Sequence, residues 1–144
     1  MEIQDFLGNM KSRGAFLAPP PTPSQTSVTN INLQKIHAAM LPSYMLNIYN
    51  ICGGIILDSG YILGPAEFRH KNQHPVPSIF QINQNMSNLS EVYGKTIFGI
   101  NDLFFFAFDS FGNCTMMDKQ NLAILRKYDN VFRAMTDCLM GGKF

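Results

Sequence analysis

Residues 41–54, LPSYMLNIYNICGG, predict a short amphipathic helix and guide the interpretation of the rest of the chain. Pro42 suits the first helical turn, where its missing N–H group needs no partner. Gly53 and Gly54 are expected to end the helix, because glycine readily adopts the left-handed conformation found at helix ends. An apolar stripe at helical spacing lies between these ends and comprises Tyr44, Met45, Ile48, Tyr49 and Cys52.

After this helix, the sequence predicts β-structure. Two apolar triplets flank Asp58, Ser59 and Gly60, a pattern typical of a β-hairpin. Four strand candidates follow the polar loop 66–77, a helix opened by Ser78 and a weaker helical stretch at 89–93. They are TIFGI, LFFFAF, CTMM and LAILRKY, and their separators are rich in the Asp, Asn and Gly that turns require. Residues 103–108 are apolar on both faces, which predicts a central strand covered on each side.

The two ends of the chain are predicted to be helical. Residues 1–11 present Ile3, Phe6, Leu7 and Met10 at helical spacing. At the other end, Asp129 is expected to cap a helix that carries Phe132, Met135 and Leu139 and stops at Gly141 and Gly142.

Prolines dominate the segment AFLAPPPTPSQTS, residues 15–27, and predict an extended strap rather than a helix. Thr29 or Asn30 is then expected to cap a helix that runs to about Met40. We therefore divide the chain into an N-terminal helix and strap, residues 1–28, and a folded domain, residues 29–144. The order of elements predicts a single α+β domain with a largely antiparallel sheet flanked by helices.

The amino-acid composition indicates which classes of protein this chain can belong to. The 144 residues suffice for one domain, and 46% are hydrophobic. Charged residues make up only 15%, against roughly 25% in typical soluble domains. The net charge of +1 and the lack of a long basic run argue against nucleic acid as a partner. The chain starts with an acidic segment that lacks the apolar stretch of a secretory signal. Its apolar runs are also far shorter than the roughly 20 residues that span a bilayer. Both features predict a cytoplasmic protein without membrane attachment.

Several residues invite a catalytic or metal-binding interpretation. His70, His74 and Glu67 are close in sequence, but Pro75 and the loop-like context favour a solvated loop over a metal site. Ser78, Ser110 and Cys114 lack the motifs of nucleophilic enzymes. We therefore predict no catalytic residue, no metal and no cofactor. Turn formation explains Asp102, Asp109 and Asp118, and the separated cysteines, Cys52, Cys114 and Cys138, are expected to be reduced core residues.

Residues 29–140 resemble the SUKH superfamily, which includes bacterial immunity proteins and fungal cell-wall-synthesis regulators. Its LPxxY and GG motifs match Leu41, Pro42, Tyr44, Gly53 and Gly54. Its FG pair and D-x-x-G turn match Phe98, Gly99, Asp109 and Gly112, with the aromatic strand 104–108 between them. The resemblance implies a structural role for these residues and a fold that binds another protein without catalysis.

The resemblance also implies a partner. Bacterial members neutralise toxins by direct binding, so the main hypothesis is an immunity protein for a cognate polymorphic toxin. An intracellular scaffold or regulatory domain is the alternative. Specificity is expected on exposed loops, and the residues predicted to bind the partner are Tyr61, Glu67, Arg69, His70, Lys71 and His74.

Overall fold

The structure, a computed structural model, describes residues 2–141. The α-helices within this range are α1 (Ile3–Ser12), α2 (Pro23–Lys35), α3 (Ser43–Tyr49), α4 (Ile79–Asn85) and α5 (Val131–Met140), with a 3-10 helix at Ser90–Val92. The strands are β1 (Phe16–Leu17), β2 (Ile55–Leu57), β3 (Gly60–Ile62), β4 (Lys95–Ile100), β5 (Phe104–Asp109), β6 (Cys114–Asp118) and β7 (Ile124–Tyr128). Met1 and residues 142–144 lie outside the described residues, and with them Gly142 of the predicted C-terminal stop.

The strands form one sheet in which each pairs with the next in sequence, always antiparallel. This arrangement confirms the predicted α+β fold with an antiparallel sheet. Helix α5 contacts strands β2 through β7 and buries Ala134, Met135, Cys138 and Leu139. Helix α5 thus covers much of the sheet, and the other helices add further buried side chains to the same core.

From the β2–β3 hairpin onward, the structure follows the prediction closely. The hairpin β2–β3, helix α4 and strands β4 to β7 all occur where the sequence indicates them. Phe106 and Ala107, which alternate between the two faces of β5, are both fully buried, whereas Leu103 precedes the strand and is exposed. At α5 the cap is Asn130 rather than Asp129, because the Asn130 side chain accepts the N–H of Phe132. Gly141 ends α5 in the left-handed conformation, as predicted.

The predicted strap is wrong in part, because it contains a strand and the start of α2. Strand β1 pairs with β2, and α2 begins at Pro23. The cap is Thr22: its side chain accepts the N–H of Gln25, whose side chain accepts the N–H of Thr22. This capping box with proline at the first helical position is visible in the sequence TPSQ. Thr29 and Asn30 are not caps, and the boundary proposed between residues 28 and 29 falls inside α2.

The ends of α2 and α3 also differ from the prediction. Helix α2 stops at Lys35, and His37 takes a positive φ of 61°, so the apolar face expected to reach Met40 is cut short. Helix α3 stops at Tyr49, before the glycine pair. Gly53 and Gly54 instead pair with the chain after β1: Gly53 N–H donates to the Ala18 carbonyl, and Ala18 N–H donates to the Gly54 carbonyl.

The Asn83 side chain takes the place of a missing strand partner at the edge of β4. Strand β3 pairs with β4 only at Gly99 and Ile100. Further along β4, the buried Asn83 amide accepts the N–H of Ile97 at 2.8 Å and donates to its carbonyl at 2.9 Å. Both backbone groups of Ile97 are therefore satisfied although no β3 residue pairs with it.

We expect Asn83→Ala to lower the free energy of unfolding by about 3 kcal/mol, since it leaves buried N–H and C=O groups without partners. Urea denaturation followed by circular dichroism measures the effect. The matched control is Asn85→Ala, an exposed residue of the same helix, for which we expect a change within about 0.5 kcal/mol. Equal effects from the two variants would contradict this role for Asn83.

Candidate functional site

Three large apolar side chains are exposed at one end of the sheet. Phe111 is 88% exposed, Tyr93 is 68% exposed and Met40 is 48% exposed. Lys95 and Asp109 are the last cross-strand pair of β4 and β5, and Tyr93 and Phe111 each lie two residues beyond that pair. We call Met40, Tyr93 and Phe111 the apex patch.

Hydrogen bonds hold the backbone that carries Phe111 in place. The Asp109 carboxylate accepts the N–H of Phe111 at 2.9 Å and that of Asn113 at 3.0 Å. The Tyr44 hydroxyl donates to the carbonyl of Gly112 at 2.8 Å. Phe111 is thus presented to solvent from a turn fixed on both sides, so little backbone entropy would be lost when a partner binds it.

The other two residues of the apex patch are held at the same end of the sheet by contacts with the connection between α2 and α3. The Tyr93 ring stacks on His37 with a centroid distance of 5.8 Å, and the Gly94 N–H donates to the His37 carbonyl. The Thr96 hydroxyl donates to the carbonyl of Ala39, the residue before Met40. The apex patch therefore joins three separate segments of the chain.

Sequence reasoning missed the apex patch. Phe111 belongs to a segment interpreted as a turn, Tyr93 to a weak helical stretch, and Met40 to the apolar face of a helix. The available signal was an aromatic residue inside the separator DSFGN, because turns between strands are usually polar.

The predicted partner-binding residues lie elsewhere, around β1 to β3. Tyr61 is half-buried on β3 and lies opposite Ile56, which in turn lies opposite Phe16, so these side chains share a face of the sheet. The His70 ring stacks on Phe16 at 4.2 Å. The structure thus brings His70 and Tyr61 to the same region of the sheet.

The remaining predicted residues occupy the loop 66–77, which the bridge between Phe68 and Val76 closes at its base. All of them are exposed: Glu67, Arg69, Lys71 and His74. This loop offers charged side chains to solvent, in contrast to the apolar apex patch.

The residues that match the family motif make internal contacts. Tyr44 of LPxxY meets Gly112 of the D-x-x-G turn, and its hydroxyl is also 3.3 Å from the Cys114 sulfur. The Phe98 ring stacks on Phe108, and Gly99 leaves room for α5, since a Cβ there would be 3.0 Å from the Cys138 sulfur. Leu41 is buried, and Pro42 is the residue immediately before α3.

The Asp109 and Asp118 carboxylates accept turn N–H groups, as predicted.

The three cysteine thiols are expected to be unreactive. Cys52, Cys114 and Cys138 are free and buried, which agrees with their prediction as reduced core residues. Burial raises the pKa of each thiol, so each stays protonated at neutral pH and is a weak nucleophile.

The described residues provide no cluster of three or more His, Cys, Asp or Glu side chains that could hold a metal ion. The His70 ring stacks on Phe16, and His74 is exposed in the loop.

Within residues 2–141, no helix has the length and apolarity needed to cross a membrane. Neither the protein-family models nor the curated proteins contain a match to this chain.

Proposed function

We propose that this chain is a non-enzymatic protein-binding domain, specifically a cytoplasmic immunity protein that neutralises a cognate bacterial toxin by direct binding. The observation that carries the binding role is the apex patch, which exposes two aromatic side chains and a methionine on a fixed backbone. The immunity role rests on the resemblance of residues 29–140 to the SUKH superfamily.

The composition of the apex patch suits a protein interface. Tyr, Phe and Met are enriched where proteins meet, and a few such side chains supply most of the binding energy. Phe111 is largely exposed and adds little burial to the fold, yet five hydrogen bonds hold the turn that presents it. The Asp109 carboxylate accepts two of them, the Tyr44 hydroxyl donates one, and two join backbone groups within residues 109–113. Stability of the domain alone does not account for an aromatic residue at this position.

The proposed mechanism is stoichiometric occlusion. Phe111 and Tyr93 would enter apolar pockets on the toxin, and the surrounding polar surface would exclude water from these contacts. With a net charge of only +1, the chain would rely on shape and apolar contact more than on electrostatic attraction. Covering the active region of the toxin would then block access of its substrate.

The test begins with a tagged form of the protein, a pull-down from native cell extract and mass spectrometry. We expect stoichiometric recovery of a toxin domain. Calorimetry with that domain should then show that Phe111→Ala weakens binding by at least about 30-fold, as expected for an interface hot spot. The matched control is Leu103→Ala, which removes a side chain that is 64% exposed at the opposite end of β5.

Each alternative has its own outcome. Recovery of regulatory proteins only would favour the scaffold hypothesis and overturn the immunity role. If Arg69→Glu and Lys71→Glu abolish binding while Phe111→Ala leaves it intact, the loop 66–77 is the interface and the apex patch is not. Equal affinities for Phe111→Ala and Leu103→Ala would likewise remove the apex patch from the mechanism.

A further inference from the structure

A second surface lies at the far edge of the sheet, between β7 and α5. The two elements enclose a groove of about 570 Å³, whose lining includes Arg126, Tyr128, Phe132, Arg133 and Asp137. The groove shares no lining residue with the apex patch or the loop 66–77, although Tyr128 lies opposite Cys114, at the same end of the sheet as Phe111. We define it as the β7–α5 groove.

The two end strands of the sheet differ in how well their free edges are protected. Strand β1 has only two residues and is followed by prolines at 19–21, which cannot donate to an added strand. Strand β7 has five residues, contains no proline and exposes its first four side chains. Its free backbone edge can therefore accept another strand.

One wall of the β7–α5 groove is a hydrogen-bonded cluster in which Asp137 is buried, Tyr128 is half-buried and Arg126 is exposed. The Asp137 carboxylate accepts from the Arg126 guanidinium at 2.7 Å and from the Tyr128 hydroxyl. Burial, and then the nearby carboxylate, raise the pKa of Tyr128, so its hydroxyl remains a donor. The negative charge of Asp137 is thereby already compensated within the protein.

The charges that remain are mainly positive. Lys127 and Arg133 line the groove and are exposed, against the single exposed carboxylate of Asp129. Phe132 adds an apolar wall and is itself held by the Phe6 ring at 5.1 Å. An extended backbone edge beside an apolar wall and two free cations is complementary to a strand that carries acidic side chains.

We infer that the β7–α5 groove binds an extended, acidic segment of a partner protein, which joins the sheet as an eighth strand beside β7. Backbone hydrogen bonds to β7 supply the docking, and an acidic side chain of the segment lies toward Arg133. Specificity comes from alternate side chains that enter the groove. This inference does not depend on the apex patch.

A second copy of the chain is a poor occupant of this edge. Antiparallel pairing of two β7 strands in full register is centred on Arg126, the third of their five residues. Each Arg126 would then lie directly opposite the same arginine of the other copy, and like charges in that position are destabilising. An acidic segment avoids this repulsion.

The test uses the full chain and a blocked heptapeptide of alternating valine and glutamate, with a valine–lysine heptapeptide as the control ligand. We expect the glutamate peptide to bind at least about tenfold more tightly in calorimetry, a difference typical of reversing the charge at contacts of this kind. Amide hydrogen exchange at β7 should slow when the glutamate peptide is added.

Two variants make the result specific. Arg133→Glu should reverse the preference between the two peptides, whereas Arg69→Glu, the same charge change in the loop 66–77, should not. Phe111→Ala should leave peptide binding unchanged, which separates this inference from the proposed function. Absence of binding, absence of charge preference, exchange protection at β1 instead of β7, or dimerisation through β7 in sedimentation experiments would each overturn the inference.

Discussion

Deletion of residues 2–20 is expected to unfold the whole domain rather than to remove a loose strap. Phe6 is 1% exposed, Leu7 and Met10 are equally part of the core, and Phe6 contacts Phe132 of α5. The deletion also removes β1 from the sheet. Loss of each large buried side chain costs about 2–5 kcal/mol, so the three losses together are comparable to a typical domain stability of about 5–15 kcal/mol.

Circular dichroism and thermal denaturation of the truncated chain measure this effect. A point variant keeps the test informative if the truncated chain cannot be purified: Phe6→Ala should lower the free energy of unfolding by about 3–5 kcal/mol. Gln4→Ala, on the exposed side of the same helix, is the control and should stay within about 0.5 kcal/mol. A truncated chain that melts within a few degrees of the full chain would show that α1 and β1 are dispensable.

Gly64→Ala is expected to be the most disruptive single substitution. A Cβ atom at residue 64 would lie 1.6 Å from the carbonyl oxygen of Gly53, and a Cβ at Gly53 would lie 2.4 Å from the carbonyl oxygen of Pro19. Three backbone segments therefore cross here at a separation that only glycine permits. The obstacles are backbone atoms, so relief requires displacing a strand end, at a cost of at least about 3 kcal/mol.

The comparison for Gly64→Ala is Gly8→Ala. Gly8 lies on the exposed face of α1, and a Cβ there would meet nothing within 4 Å. Because alanine favours helix, Gly8→Ala should raise the free energy of unfolding by about 0.5–1 kcal/mol. Urea denaturation of both variants should therefore give changes of opposite sign. A Gly64→Ala protein as stable as the parent would refute the close crossing of these segments.

The roles of Gly53, Gly54 and Gly64 could not be predicted from local sequence patterns. The GG pair at residues 53 and 54 follows a helical pattern, and from sequence alone a helix stop is the natural interpretation. The structure assigns the pair a different role, because Ala18 and Gly64, both distant in sequence, approach Gly53 and Gly54 closely. No local pattern encodes such an approach.

The candidate site was less predictable than the fold for the same reason. The sequence indicates that 66–77 is a polar loop, and its charged residues are indeed exposed. Exposure of an apolar residue, however, depends on what packs beside it. Met40 and Tyr93 are residue types common in cores, and only the assembled sheet leaves them exposed at the end of the sheet that also carries Phe111.

The sequence by itself determined the α+β class, the β2–β3 hairpin, the antiparallel order of β4 to β7 and the closing helix α5. These features follow from side-chain periodicity and turn chemistry, which act over a few neighbouring residues. Tertiary structure alone decided that the N-terminal segment joins the core, that Gly53, Gly54 and Gly64 mark a backbone crossing, and that the apex patch and the β7–α5 groove exist. Each of these depends on contacts between segments far apart in the chain, whose geometry no local pattern specifies.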